Sequence, residues 1–168
     1  MRTMFLLGLL IAQTVPGNTA RSPQQTDGEA AAAPAFRLSN LKGSTNRLSD
    51  YKGKVVLINL WATWCAPCLV EMPELVKLQK QHASNGLQIL GVTYPDEPRT
   101  SVRRLAQKFK LNYPVLLGTT ELLEAYDIGE VLPVTVVVDR EGKIRARILG
   151  ILEPEDFKDK VAPLLENH

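Results

Sequence analysis

The chain has only two cysteines, Cys65 and Cys68, and they stand two residues apart in the stretch "LWATWCAPCLVEMPEL", residues 60–75. Both tryptophans, Trp61 and Trp64, lie just ahead of them. A pair this close admits three uses: a structural bridge, half of a metal site, or redox exchange. A bridge across so short a loop removes little entropy from the unfolded chain, because the benefit grows with loop length. A zinc or copper centre needs further soft ligands, and the sequence offers only His82 and the terminal His168. His82 falls at the end of a helical pattern and reads as a solvated residue. A thiol peroxidase would place Pro-x-x-x-Thr-x-x-Cys around a lone nucleophile, and the residues before Cys65 do not supply it. Redox exchange is the favoured use of the pair, with the bridge and the metal site as its rivals.

The flanking sequence gives that use a physical basis. "VVLINLW", residues 55–61, is an almost unbroken apolar run, the pattern of a central strand covered on both faces. A helix is expected to start near Ala66 and reach about His82, with Cys68, Met72, Leu75 and Val76 on one face and Asn85-Gly86 as its stop. A cysteine at the first turn of such a helix meets unpaired N–H groups and the positive end of the helix dipole. These lower a thiol pKa from about 8.5 into the range of roughly 3.5–7.5. Cys65 is therefore expected to be the exposed nucleophile, and Cys68, one turn inward, the thiol that resolves a mixed disulfide. Pro67 suits the first turn, where the N–H it lacks has no partner anyway.

The rest of the chain alternates between strand and helix periods. Residues 36–54 read as a short hairpin around Gly43, and residues 87–94 as a second buried strand. Pro98 opens a helix with Val102, Leu105, Ala106 and Phe109 on one stripe and Arg103, Arg104 and Lys108 on the other. That basic side reads as a solvated face. "YPVLLG" and "TELLEAYDI" supply a short strand and a short helix, and residues 133–139 another apolar strand. In "KIRARILG", Ile144, Ala146 and Ile148 alternate with Arg145 and Arg147, as on a strand near the sheet edge with one wet face. A final helix from Pro154 buries Phe157, Val161 and Leu164, and Pro163 is expected to end or kink it. The predicted architecture is a three-layer α/β fold, a mixed sheet flanked by helices, in one domain over residues 35–168.

Ahead of that domain, Arg2 precedes the apolar run 4–12, well short of the roughly 20 residues a spanning helix needs. This matches a secretory signal or N-terminal anchor over residues 1–20, with imperfect small-residue cleavage sites at Val15-Pro16-Gly17 and Asn18-Thr19-Ala20. Residues 21–34 read as a linker. Export places the chain in the periplasm or an equivalent extracytoplasmic space, where a vicinal cysteine pair closes unless something keeps it reduced. With 20 basic and 18 acidic residues, a net charge of +2 and no long basic run, nucleic-acid binding is not expected.

"INLWATWCAPCLVEMPEL" resembles the active-site segment of the TlpA/ResA-like thioredoxin family of exported thiol–disulfide oxidoreductases. The likeness runs from about Pro34 to Glu166 and takes in "LSDYKGKVVLINLWATWC", "VLPVTVVVDREGKI" and Gly150. It implies a thioredoxin-like fold with an N-terminal β-hairpin and an inserted helical segment. It implies that Leu132-Pro133 is a cis-proline beside the cysteines that pairs with substrate backbone, and that Pro73 bends the active-site helix around Leu69. Trp64 and Trp61 would frame the site with apolar surface, although Trp61 suits the core equally well.

Glu71 matches a glutamate of the ResA-like branch that can raise thiol pKa values and move protons; an exposed helix glutamate is the plainer alternative. Asn59 departs from cytosolic thioredoxins, which carry a buried aspartate there, so the proton work falls to Glu71, to water or to no group at all. The family likeness implies reduction of exported proteins with vicinal cysteines, such as apocytochrome c or a copper-site subunit, by a monomer. A membrane thiol electron-transfer protein would recharge the Cys65–Cys68 pair, with no metal or organic cofactor. Oxidase or isomerase action is the nearest rival. A metallochaperone or a non-catalytic binding module is a more distant one.

Overall fold

A computed structural model describes residues 30–166. The expected export signal at 1–20 and most of the linker at 21–34 lie outside them. Elements follow in the order β1 (Arg37–Ser39), β2 (Thr45–Arg47), β3 (Val55–Trp61), α1 (Ala66–His82), β4 (Leu87–Thr93) and α2 (Arg99–Lys108). Then come β5 (Val115–Leu116), α3 (Thr120–Ala125), β6 (Val134–Val138) and β7 (Ile144–Leu149).

β1 and β2 form the expected hairpin, tied at its turn by Gly43, whose φ of 87° suits glycine. The Asn40 side-chain oxygen accepts from the N–H groups of Lys42 and Ser44 across the same turn. The main sheet has the order β5-β4-β3-β6-β7, with β3, β4 and β5 parallel and β6 and β7 antiparallel to their neighbours. β3 is thus the central strand, and all seven of its residues are buried.

Alternation along β3 divides the core into two faces. Val55 and Leu57 pack with Leu75 and Leu78 of α1 and with Val161 and Leu165 near the C-terminus. Val56, Ile58 and Leu60 pack with Leu38 of β1 and with Leu122, Leu123 and Tyr126 of the α3 region. A third cluster caps the C-terminal end of β3, joining Trp61, Met72 and both cysteines to Val102, with Leu105 and Ala106 of α2 and Phe109 just after it beside them. β7 is an edge strand, and its alternating exposure is that expected from its sequence.

Two expectations change. The chain is already attached to the fold at the end of the predicted linker: Ile144 N–H donates to Ala31 O, Ala33 N–H to Gly142 O, and the Tyr126 hydroxyl to Pro34 O. Pro163 does not end the last helix. That helix starts as α4 (Pro154–Asp156), widens into a π-helical stretch (Phe157–Val161) and continues as α5 (Ala162–Glu166) through the proline. In regular α-helix the proline ring would strike the carbonyl four residues back. The wider π turn ahead of it opens that contact.

Gly118 lies where the chain leaves β5 and passes the end of β4. A Cβ built there would stand 1.9 Å from the Thr93 carbonyl oxygen, and its N–H donates to Thr93 Oγ1. The backbones can approach this closely only without a side chain. Gly118→Ala is expected to lower the unfolding free energy by about 3 kcal/mol, from overpacking against backbone that cannot yield. Urea denaturation checks it, and an unchanged midpoint would contradict the close approach.

Candidate active site

The end of β3 and the start of α1 bring the two sulfurs together. Cys65 is the N-cap residue of α1, with extended backbone and a side chain that accepts from the Cys68 N–H at 3.3 Å. The two residues form a disulfide with an S–S distance of 2.05 Å. Cys65 is 5% exposed and Cys68 1%. The order of accessibility is as expected, but Cys65 is not open to solvent. In the closed pair its sulfur is drawn onto the helix end, inside the cluster of Trp61, Ala62 and Met72. Pro67 occupies the first turn of α1, as its lack of an N–H favours.

Trp61 and Trp64 have opposite fates. Trp61 is core, 1% exposed, whereas Trp64 stands 67% exposed beside Cys65. The Trp64 ring meets Tyr94 edge-on, with centroids 6.1 Å apart. Glu97, from the same loop as Tyr94, accepts from both the N–H and the hydroxyl of Thr63. The turn that presents Cys65 is therefore held by the loop that follows β4. Sequence reading missed Glu97, because nothing in a loop glutamate signals its partner.

The Leu132-Pro133 peptide is cis. Leu132 packs against the cluster that contains both cysteines, and Pro133 is buried at the start of β6. Pro73 lies within α1, which runs as one helix of 17 residues.

Glu71 overturns the plainer expectation of an exposed helix residue, being 2% exposed. Its face explains why: Cys68, Glu71, Met72, Leu75, Leu78 and Gln79 are the buried residues of α1, at helical spacing. One carboxylate oxygen accepts from Asn59 Nδ2 at 3.0 Å, the other from the Leu152 N–H at 2.7 Å. Asn59 Nδ2 also donates to Thr135 Oγ1 at 3.0 Å, across the β3–β6 pair. Thr135 was passed over within an apolar strand; as the polar residue directly opposite Asn59, it was the available signal.

Burial pushes the Glu71 pKa above the ordinary carboxylate value, and its two hydrogen bonds only partly offset that. Tyr113, whose ring lies over Gly91 beside Asn59, is also pushed up, by burial first and then by the charge of Glu71. No group of three or more histidine, cysteine or acidic residues suited to a metal exists among the described residues. Nor is any helix among them long and apolar enough to cross a membrane.

A vicinal cysteine pair capping a helix at the end of the central strand of this mixed sheet defines a thiol–disulfide oxidoreductase of thioredoxin-like fold. Residues 30–147 match the model of the AhpC/TSA family, and the chain belongs to that family. It is 39% identical to the thiol-disulfide oxidoreductase ResA of Geobacillus thermodenitrificans over 163 residues, 94% of this chain and 91% of that one. With the thiol:disulfide interchange protein DsbE of Pseudomonas aeruginosa it shares 34% over 138 residues, 79% of this chain and 73% of that one. Among solved structures, a thioredoxin-family thiol:disulfide interchange protein from Chlorobium tepidum TLS superposes with a TM-score of 0.74 at 30% identity. That likeness covers 83% of this chain and 99% of the other. The chain is thus a thiol–disulfide oxidoreductase of the ResA and DsbE type.

The buried carboxyl generates a pH dependence. Because its folded pKa is raised above the unfolded value, the folded state holds the proton more tightly. Stability from this group is full at low pH and falls as pH rises past the ordinary carboxylate value of 4.5 and through the raised value. Glu71→Gln removes that slope. Relative to the variant, the parent protein should lose stability as pH rises from about 4.5 toward neutrality, in urea titrations at stepped pH. Parallel stability curves for the two proteins would contradict it.

Proposed function

We propose that the protein is an extracytoplasmic disulfide reductase, exported by its N-terminal segment, that gives two electrons to protein disulfides through Cys65 and Cys68. The observation that carries the direction is Glu71, a buried carboxyl one turn beyond Cys68 on the same face of α1. A strong oxidant needs a stabilised thiolate in its reduced form. Here a second negative charge on that buried face is disfavoured by Glu71, so the reduced pair gains less from ionisation and gives its electrons more readily.

In the proposed cycle the Cys65 thiolate, stabilised by the Cys68 N–H and the helix end, attacks one sulfur of the substrate disulfide. A Cys65–substrate disulfide forms, and the displaced substrate thiolate takes a proton from water. The Cys68 thiol then passes its proton to Glu71, a buried carboxylate whose proton affinity is raised by its burial. Cys68 attacks Cys65 Sγ, the Cys65–Cys68 bond reforms, and the second substrate thiolate leaves. The enzyme ends oxidised by two electrons and the substrate reduced by two.

Trp64 and Leu132 offer apolar contact to the approaching chain, Pro133 aligns its backbone, and Pro67 holds the first turn of α1 in place. The exchange requires no metal or organic cofactor. Substrates would be exported polypeptides with vicinal cysteines, including apocytochrome c or copper-site proteins. A membrane thiol electron-transfer protein would restore the dithiol. The proposed enzyme acts as a monomer.

Stopped reactions test the cycle and its direction together. Cys68→Ser should accumulate the Cys65–substrate mixed disulfide, seen as a mass increment that dithiothreitol removes, while Cys65→Ser should not. The reduced parent protein should open a disulfide peptide in a single turnover. Rapid closure of a dithiol peptide by the oxidised protein, with no opening by the reduced one, would reverse the assignment.

A further inference from the structure

The exposed side of α2 is unusually one-signed. The helix has four cations, Arg99, Arg103, Arg104 and Lys108, and no acidic residue. None of the four joins an ion pair among the described residues. Arg99 and Arg103 turn toward the hairpin loop and donate to the Asn40 and Leu41 carbonyls. Arg104 and Lys108 remain directed to the other side. Arg104 makes one long hydrogen bond of 3.4 Å to Ser101 Oγ, and Lys108 sits 5.4 Å from the Phe109 ring centroid.

These two cations share a surface hollow of about 350 Å³ with Thr63, Ser101 and Leu105. Thr63 is two residues ahead of Cys65, so the hollow begins at the turn that presents the redox sulfur. Glu97, whose oxygens accept from Thr63 N–H and Oγ1, forms no ion pair with either cation among the described residues. Polar walls, an apolar patch at Leu105 and two unpaired cations fit a short acidic stretch of polypeptide. A carboxylate settling there gains charge-assisted hydrogen bonds with little loss from existing pairs.

We propose that the hollow lined by Thr63, Arg104 and Lys108 docks an acidic segment flanking the substrate's disulfide, so that the enzyme selects disulfides with nearby aspartate or glutamate. The choice of a disulfide-bearing polypeptide as occupant rests on the reductase reading above. Such selection acts on encounter and register more than on the exchange step itself, and salt weakens it.

Three disulfide-cyclised peptides with the same ring and glutamate, serine or lysine flanks provide the test. Binding to the oxidised full chain is read from tryptophan fluorescence, Trp64 standing beside the hollow. The glutamate peptide should bind at least about tenfold more tightly than the lysine peptide at low ionic strength, and the margin should shrink in about 0.5 M salt. R104E/K108E should abolish or invert the order, while the matched reversal K52E/K54E, at exposed residues elsewhere, should keep it. Equal binding of the three peptides, or equal loss of the preference in both double variants, would overturn the docking site. The reductase reading is judged separately, by whether the reduced parent protein opens the serine-flanked peptide. Preferential binding to anionic lipid vesicles through Arg104 and Lys108, with no order among the peptides, would also count against a peptide site.

Discussion

A carboxyl group survives in a protein interior only when donors replace the water it has lost, and Glu71 has them from two directions. Asn59 reaches it from β3 and the Leu152 N–H from the segment leading into α4. Thr135, on β6, completes the set by accepting from Asn59. Glu71 thus ties the active-site helix to β3 and to the segment ahead of α4, and Asn59 carries the network on to β6. Loss of any donor would leave a buried acceptor unpaired, a cost of about 1–3 kcal/mol. Glu71 shares the buried face of α1 with Cys68, one helical turn away.

The cysteines sit where two effects oppose each other. The start of α1 favours a thiolate at Cys65 through the Cys68 N–H and the helix dipole. In the proposed cycle, the buried acid one turn on disfavours a second negative charge on that face of α1. The proposed roles, Cys65 as attacking nucleophile and Cys68 as a resolving thiol that must first lose its proton, rest on that asymmetry. Around them, the loop after β4 holds the Cys65 turn through Glu97 and braces Trp64 against Tyr94, leaving an aromatic face in solvent next to the sulfur.

The sequence was most legible where a single local pattern decided the outcome. The seven-residue apolar run became the central strand, α1 took the expected bounds, and Leu132-Pro133 is cis as the family likeness implied. Legibility failed where long-range partners decide. Glu71 could be an exposed helix residue or a buried one; the stripe of Cys68, Met72 and Leu75 pointed inward, but only the donors on β3 and at Leu152 make burial tolerable. Glu97 and Thr135 were missed for the same reason, their partners being 34 and 76 residues away. Of the two effects expected of Pro163, ending the helix does not occur, because a π turn ahead of it, which leaves no residue pattern to read, lets the chain continue.

The reduction potential of the Cys65–Cys68 pair addresses the central claim directly. The protein is equilibrated in graded thiol buffers, and the dithiol fraction is read from the fluorescence change of Trp64 with thiol alkylation as a check. If the buried acid limits thiolate stabilisation, the potential lies near or below about −220 mV, in the range of glutaredoxins and thioredoxin. A value near about −120 mV, that of a strong periplasmic oxidant, would mean a heavily stabilised dithiol and would contradict the direction assigned to the electrons.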